Sequence, residues 1–130
     1  HGDLPVKLKQ TILLVDDEDT VRDIARMILE DLGYEVIEAS GGEQAIAAFE
    51  KRRGEVDLLL SDVVMPVMHG RALYESLRKR DPGLKILYMS GYTDEILGRD
   101  GILEEGTNLL PKPFTLDSLA RRVEEAIASG

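Results

Sequence analysis

The feature that most constrains the fold is a regular alternation of short apolar runs with longer helical patterns after residue 10. The first run, Thr11 to Val15, and the third, Val56 to Ser61, are strongly apolar. Such runs are typical of strands that are covered on both faces of a sheet. Alternating strands and helices predict βαβ units, whose right-handed crossovers place helices on both faces of a parallel sheet.

The same periodicities predict the remaining elements. The second strand, residues 34–39, is more polar and is expected near an edge, and residues 84–89 and 108–110 predict two further strands. A weaker helix is predicted from Asp94 to about Leu103, because Gly98 and Gly101 interrupt it. Apolar stripes predict the other helices at Val21, Ile24, Ala25, Ile28, Leu29 and Leu32, at Ala45 to Phe49, at Leu73 and Leu77, and from Leu116 to Ile127 after Thr115 as N-cap.

Composition restricts the class of protein. A chain of 130 residues with 43% apolar and 32% charged residues fits one globular domain. It has no Cys, and no apolar run approaches the roughly 20 residues that span a bilayer. The net charge of −9 argues against nucleic-acid binding. We therefore expect a cytoplasmic domain that contacts neither nucleic acid nor membrane, although its parent chain is allowed a membrane anchor elsewhere.

The first ten residues differ from the rest. Residues 1–10 lack periodicity, contain Gly2 and Pro5, and do not begin with Met. They are interpreted as a linker or an engineered remnant of a longer chain, followed by a single domain over residues 11–130.

Charged and polar residues follow the predicted strands at their carboxyl ends. Asp16 and Asp17 follow the first strand, and Asp62, Ser90 and Lys112 follow the third, fourth and fifth. In an open parallel sheet these ends form the ligand site. Clustered carboxylates repel one another, and Mg²⁺ relieves that repulsion. Asp62 is the candidate nucleophile for a phosphoryl group, with Mg²⁺ and Lys112 neutralising charge and Ser90 donating a hydrogen bond.

Each residue alone also has a structural explanation. Asp16 and Asp17 are favoured N-cap residues for the first helix, Asp62 could begin a turn, and Lys112 could be an exposed loop residue. Complementary chemistry at four separate strand ends favours the functional explanation.

In its motifs the sequence resembles the receiver domain of two-component response regulators, over about residues 11–128, and most closely the C-terminal receiver of a hybrid sensor histidine kinase. The resemblance implies a flavodoxin-like (βα)5 sandwich with sheet order 2-1-3-4-5. The residues that carry it are Val15-Asp16-Asp17-Glu18, Ser61-Asp62, Met65-Pro66-Val67-Met68-His69-Gly70, Ser90-Gly91 and Lys112-Pro113-Phe114.

The resemblance also implies roles. Asp62 would accept the phosphoryl group from the histidine of a kinase or a histidine phosphotransfer protein. Asp17, Asp62 and the backbone carbonyl of Val64 would bind Mg²⁺ or Mn²⁺ directly, and Asp16 through water. Lys112 and Ser90 would contact the phosphoryl oxygens, and the Lys112–Pro113 peptide would be cis. The domain would promote its own phosphorylation and dephosphorylation without being a turnover enzyme, although the parent chain could be a histidine kinase. A weak homodimer is a further expectation.

Two positions depart from or tune the family pattern. Leu109 stands where such domains often carry an aromatic switch residue, so we expect signalling to depend on the glycine-broken helix at residues 94–103. Val64 and Tyr92 follow Asp62 and Ser90 by two positions, and we expect them to shield the acyl phosphate from water.

Three alternatives remain open at this point. The chain could be a stand-alone single-domain regulator instead of part of a hybrid kinase. It could be a phosphatase with an aspartate nucleophile, although those enzymes resemble an Asp-x-Asp pattern after the first strand. It could also be a degenerate receiver that serves only for docking.

Overall fold

One parallel sheet organises the molecule. The computed structural model describes residues 9–91 and 108–129. Its five strands pair in the order β2-β1-β3-β4-β5, and every pairing is parallel. The predicted α/β class and the 2-1-3-4-5 order are therefore confirmed. The strands are β1 (Thr11–Val15), β2 (Glu35–Ala39), β3 (Leu58–Asp62), β4 (Lys85–Ser90) and β5 (Leu109–Pro111).

Four helices in the described ranges cover the two faces of this sheet. They are α1 (Asp19–Asp31), α2 (Gly42–Lys51), α3 (Gly70–Arg80) and α4 (Leu116–Ala128). Helices α1 and α4 pack on one face, and α2 and α3 pack on the other. The predicted helix at residues 94–103 lies outside the described residues. None of the described helices is long and apolar enough to cross a membrane.

Alternation along β1 explains why both faces are covered. Ile12 and Leu14 belong to the core shared with α1 and α4, whereas Leu13 and Val15 belong to the core shared with α2 and α3. All four side chains are fully buried. Successive side chains of a strand point to opposite faces, so an unbroken apolar run forms two cores at once.

The structure corrects some details of the sequence prediction. Strands β3 and β4 each start and end one or two residues later than predicted. Ile24 and Leu32 were assigned to the apolar stripe of α1, but they are 48% and 45% exposed. The stripe is therefore narrower than predicted, and of α1 only Ala25 and Leu29 are fully buried. At α4, Thr115 does form the predicted cap, as part of a capping box with Ser118.

Candidate functional site

The end of β1 places a carboxylate in the interior. Asp16 is fully buried, and its backbone N–H donates to the Ala39 carbonyl at 3.2 Å. Its Oδ1 accepts a hydrogen bond from the Glu18 N–H at 2.8 Å, and its Oδ2 accepts one from Lys112 Nζ at 3.0 Å. Both oxygens of this buried carboxylate are thus held by donors, as burial of a charge requires.

The end of β3 is held equally closely. Asp62 is the last residue of this strand and is 7% exposed. Its carbonyl oxygen accepts from the Ser61 hydroxyl at 2.9 Å. Helix α3 begins so near that a Cβ on Gly70 would overlap this carbonyl, and the Gly70 N–H donates to the Val63 carbonyl at 2.8 Å. A side chain at position 70 would therefore displace the strand end that carries the Asp62 carboxylate.

Lys112 connects the two strand ends. Its backbone N–H donates to the Ser90 carbonyl at 2.8 Å, which continues the pairing of β4 with β5. From there Nζ reaches Asp16 Oδ2 at 3.0 Å and Asp62 Oδ2 at 3.2 Å, and it lies 3.5 Å from Glu18 Oε1. The Lys112–Pro113 peptide is cis, in agreement with the implication of the family resemblance. The side chain is 14% exposed, so Lys112 is not an exposed loop residue.

Three carboxylates converge beside this ammonium. Ligand oxygens of Asp16, Asp17 and Asp62 all lie within 4.8 Å of one another. They border a cleft of about 440 Å³ at the carboxyl edge of the sheet. The described residues that line the cleft are Asp17, Glu18, Asp62, Val64, Gly91 and Lys112.

Burial and charge act in opposite directions on the two central groups. Burial raises the pKa of Asp62, and the Asp16 charge adds to the rise, while the Lys112 ammonium and a hydrogen bond from the Val64 backbone oppose it. Burial acts to lower the pKa of Lys112, but Asp16 and Asp62 outweigh it, so that pKa is raised. The ammonium therefore stays charged, whereas ionised Asp62 is held at some cost.

The donor set fits a hard divalent cation. Three carboxylates outnumber one ammonium, which leaves an excess of two negative charges beside an open cleft. Carboxylate oxygens are the ligands that Mg²⁺ prefers, and its octahedral shell usually keeps several waters, for which the cleft has room. Asp16 is fully committed to protein donors and buried, whereas Asp17 is exposed.

The other predicted residues occupy different positions around the cleft. Ser90 is 2% exposed at the end of β4 and does not line the cleft, whereas its neighbour Gly91 does. Val64 lines it and is 43% exposed. Leu109 is buried against Tyr88 and Val63, in a packing cluster. Tyr92, the other proposed shield of the acyl phosphate, lies outside the described residues.

The structure also decides between the two explanations of the acidic pair. The N-cap of α1 is Glu18, whose side chain makes no capping hydrogen bond, and the first helical acid is Asp19. Asp16 accepts only from the Glu18 backbone, ahead of the helix, so neither Asp16 nor Asp17 serves as its N-cap.

Sequence reasoning missed Arg22. Its guanidinium donates to the Asp16 carbonyl oxygen at 2.7 Å, from inside α1. A basic residue one turn into a helix opposes the helix dipole, and that was the available signal that it serves something other than the helix.

Comparison with known proteins gives a consistent result. Residues 12–124 match the response regulator receiver domain family. The sensor kinase CckA of Brucella abortus is 43% identical over 117 residues, which is 90% of this chain but 12% of the kinase. The response regulator receiver protein CpdR of the same organism is 33% identical over 117 residues, covering 89% of this chain and 95% of CpdR. A crystal structure of the receiver domain from the hybrid histidine kinase CckA superposes with a TM-score of 0.76 at 38% identity, covering 90% of this chain and 98% of that one.

Proposed function

The chain belongs to the response regulator receiver domain family of two-component systems, and on that premise we propose that Asp62 is its phosphoacceptor. Receiver domains of this family interact with histidine kinases, and Mg²⁺-dependent phosphoryl transfer follows from membership. Membership decides against the phosphatase alternative. The single observation that carries the assignment to Asp62 is the Lys112 ammonium bridging the carboxylates of Asp16 and Asp62 beside an open cleft.

The proposed reaction moves a phosphoryl group between two side chains. A carboxylate oxygen of Asp62 attacks the phosphorus of a phosphohistidine on the partner. The O–P bond forms as the P–N bond breaks, and the released imidazole nitrogen takes a proton from water. Because such transfer depends mainly on positioning and charge neutralisation, the buried and doubly anchored strand ends supply what the chemistry needs.

Each charged neighbour has a role in this proposal. Lys112 lies 3.2 Å from Asp62 Oδ2 and would move with the developing negative charge onto a phosphoryl oxygen. Asp17, Asp62 and the Val64 carbonyl would hold Mg²⁺ or Mn²⁺, with Asp16 acting through water. The bound ion supplies neutralisation of the phosphoryl oxygens. Ser90, at the end of β4, would donate to one of those oxygens after its strand end moves.

The parent chain is a separate proposal. The chain spans 12% of the length of the sensor kinase CckA and 95% of CpdR, so relatives of both kinds exist. The higher identity to the kinase, 43% against 33%, favours a receiver from a hybrid histidine kinase, with residues 1–10 as the linker. A cytoplasmic location, no contact with nucleic acid and a weak homodimer complete the proposal.

Mass spectrometry tests the phosphoacceptor. The wild type incubated with acetyl phosphate and Mg²⁺ is expected to gain one phosphoryl group, and Asp62→Asn is expected to gain none. Asp57→Asn is the matched control, since Asp57 lies before β3 and bonds the Thr11 backbone at 2.7 Å, at the far end of the strand. A wild type that stays unmodified would revive the docking-only alternative, and modification of Asp62→Asn would place the phosphoacceptor elsewhere.

A further inference from the structure

One side chain outside the acidic cluster holds the turn that carries it. Arg22 lies in the first part of α1 and its side chain is 15% exposed. Its Nη1 donates to the Asp16 carbonyl oxygen at 2.7 Å, and its Nη2 donates to Asp19 Oδ1 at 2.7 Å. Its Nε lies 3.4 Å from Glu38 Oε1 on β2. One planar group thus joins the end of β1, the start of α1 and the neighbouring strand.

The contact matters because of the peptide bond that it touches. The Asp16 carbonyl and the Asp17 N–H belong to one planar unit, so an anchor on the carbonyl also fixes the direction in which the chain enters Asp17. Asp16 has further anchors through both carboxylate oxygens. No donor within residues 9–91 and 108–129 contacts the exposed Asp17 carboxylate, so its direction depends on the backbone.

We infer that Arg22 is a positioning residue for the metal site, which acts by holding the Asp16–Asp17 peptide so that the Asp17 carboxylate converges with that of Asp62. The inference rests on the proposed function, because it assumes that this cluster is where the ion binds. It goes beyond an ordinary helix ion pair. The Arg22–Asp19 pair at i,i+3 would stabilise the helix slightly wherever it occurred, but the bond to the Asp16 carbonyl ties the helix to a buried strand end.

Arg26 provides a matched comparison within the same helix. It pairs with Glu30 at 3.0 Å and with Glu38 at 3.4 Å, so it shares one partner with Arg22. Its printed contacts are side-chain ion pairs, and none of them reaches the turn between β1 and α1. Replacing either arginine by Ala removes a positive charge and an ion pair to Glu38, but only Arg22→Ala frees the Asp16 carbonyl.

The test is the Mg²⁺ affinity of the whole 130-residue chain, measured by isothermal titration calorimetry with MgCl₂, together with the thermal unfolding of each variant. Arg22→Ala is expected to bind Mg²⁺ about tenfold more weakly than wild type, the usual effect of losing a group that orients a ligand. Arg26→Ala is expected to stay within about twofold, since it loses only exposed ion pairs. Both should lower the unfolding temperature by similar amounts.

A charge-preserving variant separates positioning from electrostatics and also serves if Arg22→Ala does not fold. Arg22→Lys keeps the positive charge but lacks the planar fork, and it is expected to lose most of the affinity that Arg22→Ala loses. Full Mg²⁺ affinity in Arg22→Lys, or equal losses in Arg22→Ala and Arg26→Ala, would overturn the inference, because charge alone would then explain the result.

Asp17→Asn distinguishes failure of this inference from failure of the proposed site. If Asp17→Asn loses Mg²⁺ affinity while Arg22→Ala keeps it, the site stands and the positioning role is wrong. If Asp17→Asn itself binds like wild type, the acidic cluster is not the metal site and both proposals fall together.

Discussion

The interiors of β1 and β3 and the carboxyl ends of the same two strands obey opposite rules. Within the strands, Ile12 to Val15 and Leu58 to Leu60 are fully buried apolar residues that interlock with helices on both faces. One residue further along each chain path, the carboxylates of Asp16 and Asp62 are buried within 4.8 Å of a third. The first region gains stability from burial, and the second accepts an electrostatic penalty.

The difference shows how a rigid scaffold supports a strained site. The two carboxylates stay in place because the strands that end in them are among the most deeply packed elements of the described structure. A single ammonium, Lys112, offsets part of the repulsion. The remaining excess of negative charge is what a divalent cation would neutralise, so instability and ligand affinity have the same origin.

Truncating a strand interior should have the largest effect on stability. Leu60→Ala removes a fully buried side chain of β3 and is expected to lower the free energy of unfolding by about 3 kcal/mol, measured by urea denaturation. Leu116→Ala is the control, because Leu116 is 57% exposed, and it should change stability by about 0.5 kcal/mol or less. Equal losses in the two variants would contradict the packing that the structure describes.

Removing the ammonium should have the next largest effect. Lys112→Met keeps the length of the side chain but leaves the carboxylates of Asp16 and Asp62 without their shared donor, and it is expected to cost about 2 kcal/mol in EDTA. Mg²⁺ should recover part of this loss, because it replaces the missing positive charge. Lys79→Met, at an exposed position of α3, should have little effect in either buffer. A loss that is insensitive to Mg²⁺ would mean that the side chain stabilises by packing alone.

Neutralising Asp62 should stabilise the metal-free protein. Its pKa is raised in the folded state, chiefly by burial, so ionisation disfavours folding and stability falls as the pH rises through this range. Asp62→Asn is therefore expected to gain about 1 kcal/mol at pH 7 in EDTA. The gain should disappear below about pH 4, where the carboxyl is neutral in the unfolded chain as well.

Denaturant unfolding of both proteins at pH 7 and near pH 3.5 measures this effect. Asp31→Asn, at an exposed position late in α1, is the control and should show no such pH-dependent gain. If Asp62→Asn is less stable than wild type at pH 7, the ion pair with Lys112 outweighs burial and the comparison between strand interior and strand end loses its basis.

The smallest effect is expected in the loop that follows β3. Val67 adopts φ 71° and is 97% exposed, an unfavourable conformation for a β-branched residue that gains nothing from burial. Val67→Asn should therefore stabilise the protein by about 0.5 kcal/mol, since Asn tolerates this region better. Thermal unfolding measures the gain, with Val64→Asn in the same loop as control. A loss of stability would indicate that the Val67 side chain has a packing role.

Sequence patterns predicted the elements well where a side chain's environment depends on its own neighbours. The unbroken apolar run of β1 implied two covered faces, and Thr115 implied the start of α4. Prediction was less accurate where the helix surface met a partner of unknown shape. Ile24 and Leu32 carry the periodicity of a buried stripe but lie beyond the area that the sheet and α4 cover.

The sequence by itself determined the fold class, the strand order through its family resemblance, and which charged residues end the strands. Only the tertiary structure decided that Asp16 is committed to Glu18 and Lys112, that Asp17 is left to its backbone, and that Arg22 anchors the peptide between them. The physical reason is the range of the interactions. Apolar periodicity and capping act within a few residues of the chain, whereas the bond from Lys112 to Asp16 joins positions 96 apart, and pairing of the strands sets its geometry.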